Sequence, residues 1–259
     1  MDTAEIESLR AKKRAAYEKD FTALKHLLTA ADYGGALIAL HYSREIHSGY
    51  RKDGVTPEHH HQVRMAFVAL DDRVALLNAG IDPNVMIGII LKHDTSEDNP
   101  EIQRSTMEKR FGNARGAKEI IDGGFAMSKI REGELIPAEI YYPGLLDQAM
   151  LFLVKLIDRG DNMQTIYELP VPKQLAYLPE TDHLLEVAKD VRKRFSPSII
   201  SLSRKYETTI RRAQQFYLSF ASQMQYGNGA EVVAALDGAG HLTRPVPKST
   251  IQAKGVDAA

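Results

Sequence analysis

The chain has 259 residues, 44% of them hydrophobic, and a formal net charge of −1, with an isoelectric point near 6.8. That length allows one large core, or one core with an appendage. The near-neutral balance gives no global field for recruiting nucleic acid or an anionic membrane. Cysteine is absent, which excludes disulfides, zinc–thiolate sites and a thiol nucleophile. The opening segment, Met1-Asp2-Thr3-Ala4-Glu5, is charged and lacks the apolar run of a secretion signal. No apolar stretch reaches the length of a membrane span. The expectation is a soluble, cytoplasmic protein.

Residues 4–30 carry apolar side chains at helical spacing and predict one or two helices, and residues 35–47 predict another. Gly49, Asp53, Gly54 and Pro57 then mark a loop. A helix resumes near His61 and runs towards Leu77. Asp82-Pro83 reads as a helix start, with Asp as the cap and proline at the first helical position. From there an apolar run over 85–91 leads into Lys92-His93-Asp94-Thr95-Ser96-Glu97-Asp98. Asn99-Pro100 ends that helix, because a residue before proline is pushed out of the α region. On a continuous helix His93 and Glu97, and likewise Asp94 and Asp98, stack one turn apart on neighbouring faces.

Residues 100–112 predict a short helix and 115–130 another, weakened by Gly123-Gly124. Residues 144–159 are apolar nearly all round, which places them at the centre of the core. Three prolines make 169–180 a loop, and 182–195 a helix closed by Ser196-Pro197. Over 199–226 an apolar stripe (Ile199, Leu202, Tyr206, Ile210, Ala213, Tyr217, Phe220, Met224) recurs at steps of three and four. The favoured reading is a helix packed on its own domain; the second is a partner helix that forms a homodimer. Residues 228–259, rich in Gly, Pro, Ala and Thr, read as a mobile tail. Strand signals are almost absent, so the fold class is all-α. The domain expectation is 1–195, a C-terminal helix over 196–227 packed on it, and the tail.

Three separated stretches each offer groups that suit a divalent metal: His59-His60-His61, His93-Asp94, and Asp158 in Lys155-Leu156-Ile157-Asp158-Arg159-Gly160-Asp161-Asn162-Met163. Singly, three histidines suit a polar loop and a helix-end aspartate suits solvent. Together, at the ends of three apolar helices, they point to one site. Burying such a cluster is costly unless a metal or ion partners compensate it. Imidazoles and carboxylates together form a mixed N/O donor set compatible with manganese or iron.

Histidine, then His-Asp, then Asp on a helical domain resembles the HD-domain metal-dependent phosphohydrolases. His47-Ser48-Gly49-Tyr50-Arg51-Lys52-Asp53-Gly54 with Pro57 and His61 is similar to the H-x-G…R-K-x-G…P-x-x-x-H segment of RelA/SpoT-type alarmone hydrolases. His93-Asp94-Thr95-Ser96-Glu97-Asp98 resembles their HD-x-x-ED motif. Arg110-Phe111-Gly112 with Ile121-Asp122-Gly123-Gly124 resembles their RFG…V-x-G-V-T-K stretch, and 155–163 their K-L-x-D-R-x-x-N-M. The likeness covers roughly residues 35–165.

The resemblance implies an HD-type helical bundle in which His61, His93, Asp94 and Asp158 bind Mn²⁺. It implies that Glu97 and Asp98 are the catalytic pair, managing protons, and that Arg51, Lys52, Asn162 and Thr165 contact the nucleotide. The implied reaction is hydrolysis of the 3′-diphosphate of (p)ppGpp to GDP or GTP and pyrophosphate. Lys129 and Arg159 read as ion-pair formers that could reach phosphate. Departures fall at the rim: Glu58 stands where the family has Tyr, Gln62 replaces Pro, and Gly160-Asp161 replaces Leu-His. The loop lengths on either side of Gly54 also differ by one residue. These changes bear on substrate, so an NADP(H) 2′-phosphatase is the alternative enzyme. A non-catalytic module that binds a nucleotide or partner is the alternative outside enzymes. Nothing after residue 200 resembles the further domains of the long family members.

Overall fold

The computed structural model of the protein describes residues 2–51, 53–131, 134–169 and 171–223. The chain divides into two compact units, Met1–Gln214 and Gln215–Ala259. The first is all-α apart from one small ribbon. Its helices are α1 (Thr3–Ala30), α2 (Gly34–Ile46), α3 (His60–Asp71), α4 (Arg73–Asn78), α5 (Pro83–Lys92), α6 (Thr95–Asp98), α7 (Arg104–Phe111) and α8 (Ala117–Ala126), followed by α9 (Ala138–Leu146), α10 (Ala149–Gln164), α11 (Val171–Val191) and most of α12 (Pro197–Gln223). Strands β1 (Ile130–Arg131) and β2 (Glu134–Leu135) pair antiparallel, Ile130 opposite Leu135. No described helix is long and apolar enough to cross a membrane.

The core is organised around α5. All ten of its residues are buried, and it packs against α2, α3, α8 and α10. A helix that is apolar all round is stable only when neighbours cover every face, and each fully buried Val, Leu, Ile or Met contributes roughly 1.5–3 kcal/mol. Asp82 caps α5 by accepting from the Asn84 N–H. On the α8 side, a Cβ added at Gly88 would collide with Ile120, and one at Gly123 with Ile89. Glycine at these two positions lets the helix backbones approach. The pair Gly123-Gly124, which weakens the helical signal in sequence, therefore lies in a helix for a packing reason.

Four expectations need correction. The helix beginning at Pro83 does not run to Asn99; it stops at Lys92, and α6 is a separate short turn. The ring Nδ1 of His93 turns back onto the Ile90 carbonyl at 2.7 Å, competing with the helical N–H for that acceptor. The Asp94 carbonyl then restarts the helix by accepting from the Glu97 and Asp98 N–H groups. The helix from His61 towards Leu77 is likewise broken at Asp72, and the stretch over 144–159 belongs to two helices that meet at Asp147-Gln148. Most of the proline-rich segment, expected as a loop, is the start of α11. Pro172 sits in the first turn, where a missing N–H costs nothing, and Pro179 is accommodated inside a long helix.

Within the first unit, α12 buries Ile199, Leu202, Tyr206 and Ile210. The Tyr206 hydroxyl donates to Asp72 at 2.9 Å, and Gln214 donates to Asp182 at 3.0 Å. In the second unit, described over residues 215–223, Phe216 and Phe220 stack along the helix. The expected tail over 228–259 lies outside the described residues, as does Met224 of the stripe.

Candidate metal centre

Three helices meet at one point. His61 lies in the first turn of α3, His93 caps the C-terminus of α5, and Asp158 lies within α10. His61 Nε2 is 3.3 Å from Asp158 Oδ1, and His93 Nε2 is 3.7 Å from the same oxygen. Asp94 Oδ1 is 3.0 Å from His93 Nε2, and ligand atoms of His61, His93 and Asp94 all lie within 4.8 Å of one another. The neighbouring histidines go elsewhere: His59 Nδ1 meets the Tyr17 hydroxyl at 2.9 Å, and His60 Nε2 meets Asp20 at 2.9 Å. Among the three adjacent histidines, the helical turn therefore delivers His61 alone to Asp158.

The tautomers of the two central histidines follow from their other nitrogens. His93 Nδ1 faces a backbone carbonyl, which can only accept, and His61 Nδ1 faces the Asp161 carboxylate at 2.6 Å. Both rings must donate from Nδ1, so a neutral ring presents the Nε2 lone pair to the carboxylates. His93 Nε2 is buried and has no hydrogen-bond partner; Asp94 Oδ1 is near it but not in line for a hydrogen bond. Lone pairs aimed at carboxylate oxygens across 3.0–3.7 Å are unfavourable without a positive charge between them, which a proton on the ring or a divalent cation supplies. The proton affinity of His93 expresses the same demand. Burial opposes the imidazolium, but Asp94 and Asp158 beside it outweigh burial and push its pKa well above the ordinary value. His61, His93, Asp94 and Asp158 could thus hold a metal ion.

Each carboxylate is itself held. Asp158 Oδ2 accepts from the buried Lys155 ammonium at 2.7 Å, and Oδ1 from Asn162 Nδ2 at 2.6 Å. Burial works against ionising Asp158, yet Lys155 and the two histidines hold its pKa well below the usual carboxylate range. Gln62 donates to Asp94 Oδ2 at 3.1 Å. Asp161 accepts a forked pair from Arg64 at 2.8 and 2.7 Å. Burial disfavours its charge too, but His61 and Arg64 keep it ionised.

The cluster opens into a cavity of about 260 Å³. Its anionic lining comes from Glu58, Asp94, Glu97, Asp98 and Asp158, its cationic lining from Arg51, Lys129, Lys155, Arg159 and Lys173. Arg51 donates to Asn162 Oδ1 at 3.0 Å, so two of the four expected nucleotide contacts meet in the cavity lining. Thr165 is not part of the lining; its hydroxyl donates to the Asp161 carbonyl, closing the last turn of α10. Lys52 lies outside the described residues. Lys129 and Arg159 both pair with Glu180, at 2.7 and 2.9 Å.

Glu97 and Asp98 leave α6 in different directions. Glu97 Oε2 accepts from the Lys129 backbone N–H at 3.1 Å. Asp98 faces His47 and the other acids. Partial burial and the nearby Asp94, Glu58 and Glu97 charges push the Asp98 carboxyl up to about 6. Because the side chain is still 46% exposed, carboxylate crowding is the firmer cause. A carboxyl that changes charge near neutral pH suits proton transfer.

Several members of the site escape a motif reading: Asp161, Arg64, Gln62, Asn162 as a partner of Asp158, and the acid-facing His47. The spacing Lys155, Asp158, Asp161, Asn162 along one helix is the signal that could have found Asp161 and Asn162. No family model matches the chain, and no solved structure matches it.

Proposed function

We propose that this protein is a Mn²⁺-dependent phosphohydrolase that removes the 3′-diphosphate of guanosine tetra- or pentaphosphate, leaving GDP or GTP and releasing pyrophosphate. One observation carries the hydrolase reading. Two histidines with tautomers fixed at Nδ1 converge with Asp94 and Asp158, on a cavity that also presents guanidinium and ammonium groups and the Glu97-Asp98 pair. The guanosine substrate is drawn from the resemblance to RelA/SpoT-type hydrolases.

His61, His93, Asp94 and Asp158 would hold the cation, which supplies charge against phosphate oxygens and acidifies water. Arg51 offers a flat guanidinium that grips phosphate in a forked pair or stacks on a base. Asn162 fixes that guanidinium from Oδ1 while its Nδ2 steadies Asp158. The Glu97-Asp98 pair manages the proton of the attacking water, with Glu97 tied to the Lys129 N–H. The new bond joins water oxygen to the phosphorus at the ribose 3′ oxygen; that ester bond breaks, and the 3′ oxygen leaves as a hydroxyl, taking up a proton to replace the one the water lost.

The rim favours a second substrate reading. Glu58 and Gln62 face the cavity where the resembled family carries Tyr and Pro, and an NADP(H) 2′-phosphatase would use the same floor. Incubating the purified chain with Mn²⁺ and each nucleotide, then separating products by chromatography, decides between them. Pyrophosphate release from guanosine tetraphosphate with NADPH untouched is the expected result; phosphate release from NADPH alone would overturn the substrate assignment.

A further inference from the structure

A second cluster of ligating groups stands beside the first. After α2 the chain doubles back between His47 and Glu58. Arg51 N–H donates to the Thr56 carbonyl at 2.8 Å, Glu58 N–H donates to the Gly49 carbonyl at 3.1 Å, and Tyr50 pairs with Pro57 as an antiparallel bridge. Asp53 stiffens the turn by accepting from the Val55 and Thr56 N–H groups. This hairpin brings Glu58 to one side of His47, and the end of α6 brings Asp98 to another. His47 Nδ1 lies 3.8 Å from Glu58 Oε2 and 3.8 Å from Asp98 Oδ2. One ligand atom from each of the three lies within 4.8 Å of the others.

The histidine makes this more than an acidic patch. His47 is 3% exposed, and neither of its ring nitrogens has a hydrogen-bond partner. Its distances to the two carboxylates are too long for hydrogen bonds. They fall inside the ~4.2 Å that two atoms, each about 2.1 Å from one cation, can span. One imidazole and two carboxylates are a hard N/O donor set suited to manganese, magnesium or zinc. Glu58 and Asp98 also line the cavity onto which the first cluster opens.

We infer that His47, Glu58 and Asp98 form a second divalent-cation position on the same cavity as His61, His93, Asp94 and Asp158. The inference goes beyond the reading above and concerns binding alone. It divides the acid pair: Asp98 faces the second cation, while Glu97 keeps its contact with the Lys129 N–H and remains for water. It also gives Glu58 a task, since a carboxylate there adds a ligand.

Calorimetric titration of the chelator-stripped full chain with Mn²⁺ tests it. The wild type takes up two equivalents, and Glu58→Gln takes up one at unchanged affinity. The second equivalent in that variant weakens by roughly 100-fold or more, beyond the 10–100-fold that partners outside the ligand set command. His93→Gln loses the other equivalent and keeps this one. Glu58 is partly exposed, so its variant folds; His47→Gln is checked by its melting curve and gives the same loss. A wild type that binds one equivalent, or two equivalents retained in both Glu58→Gln and His47→Gln, would overturn the inference. Two equivalents without turnover of any nucleotide would leave this inference standing and sink the hydrolase reading. One equivalent with full turnover would do the reverse.

Discussion

His61 and Asp158 stand on α3 and α10 and His93 caps α5, buried helices that pack on one another, whereas Arg51, Glu58 and Lys129 stand on loop segments with part of each side chain in solvent. On the floor, the ligand side chains are braced from behind by other fixed groups: Lys155 and Asn162 for Asp158, Asp161 for His61, Gln62 for Asp94. On the rim, single contacts such as Arg51 to Asn162 hold a side chain that solvent can also hold. Floor positions are therefore expected to set folding and the uptake of any cation. Rim positions govern what is bound, at little cost to the fold.

The largest expected effect comes from breaking the floor. Asp158→Ala leaves the Lys155 ammonium buried without its carboxylate. Removing one partner of a buried pair costs about 3–5 kcal/mol, so denaturant melts should shift strongly and Mn²⁺ uptake at the first cluster should vanish. A shift within ~0.5 kcal/mol, the range of ordinary surface changes, would mean that the floor is not the rigid part. Asp161→Asn acts one layer out, weakening the grip on His61 Nδ1 and on Arg64. Mn²⁺ affinity is predicted to fall by about 10–100-fold with less loss of stability than in Asp158→Ala; equal affinity would remove Asp161 from the account.

At the rim, Arg51→Ala is predicted to raise KM for the nucleotide by roughly tenfold, the scale of one charge-assisted hydrogen bond of about 1.5 kcal/mol. Its melting curve should match the wild type. A large loss of stability instead would make Arg51 part of the floor. The smallest effect concerns pH. Burial raises the Glu180 carboxyl, but Arg159 and Lys129 outweigh it and hold the pKa at about 2, below the ordinary 4.5. A carboxyl with a depressed folded-state pKa contributes stability that is full above 4.5 and is lost as pH falls from there through about 2. With its side chain 30% exposed, the contribution is about 1–2 kcal/mol after solvent screening. Melting temperatures of the wild type and Glu180→Gln should converge as pH drops across that window; a gap that stays constant would contradict the assignment.

The order of helices was legible because apolar periodicity and the Asp82-Pro83 start are local signals. The break at His93-Asp94 was not, since it depends on an imidazole turning back onto the Ile90 carbonyl. Neither was the start of α11: three prolines read as a loop, and only the positions of Pro172 and Pro179 in the helix make those two tolerable. His61, His93, Asp94 and Asp158 could be named from sequence because each lies in a motif-like string. Asp161 and Gln62 appeared only as departures from the family pattern, and the structure places both against members of the cluster. Asp98 and His47, 51 positions apart in the chain, meet only after the hairpin and α6 are folded.

Metal removal and return tests the central claim most directly. The purified chain is stripped with chelator, assayed for pyrophosphate release from guanosine tetraphosphate, then resupplied with Mn²⁺ and assayed again. The account predicts that release stops on stripping and returns with the metal in the wild type, and fails to return in His93→Gln. Release that persists through complete stripping, or that returns equally in His93→Gln, would contradict it.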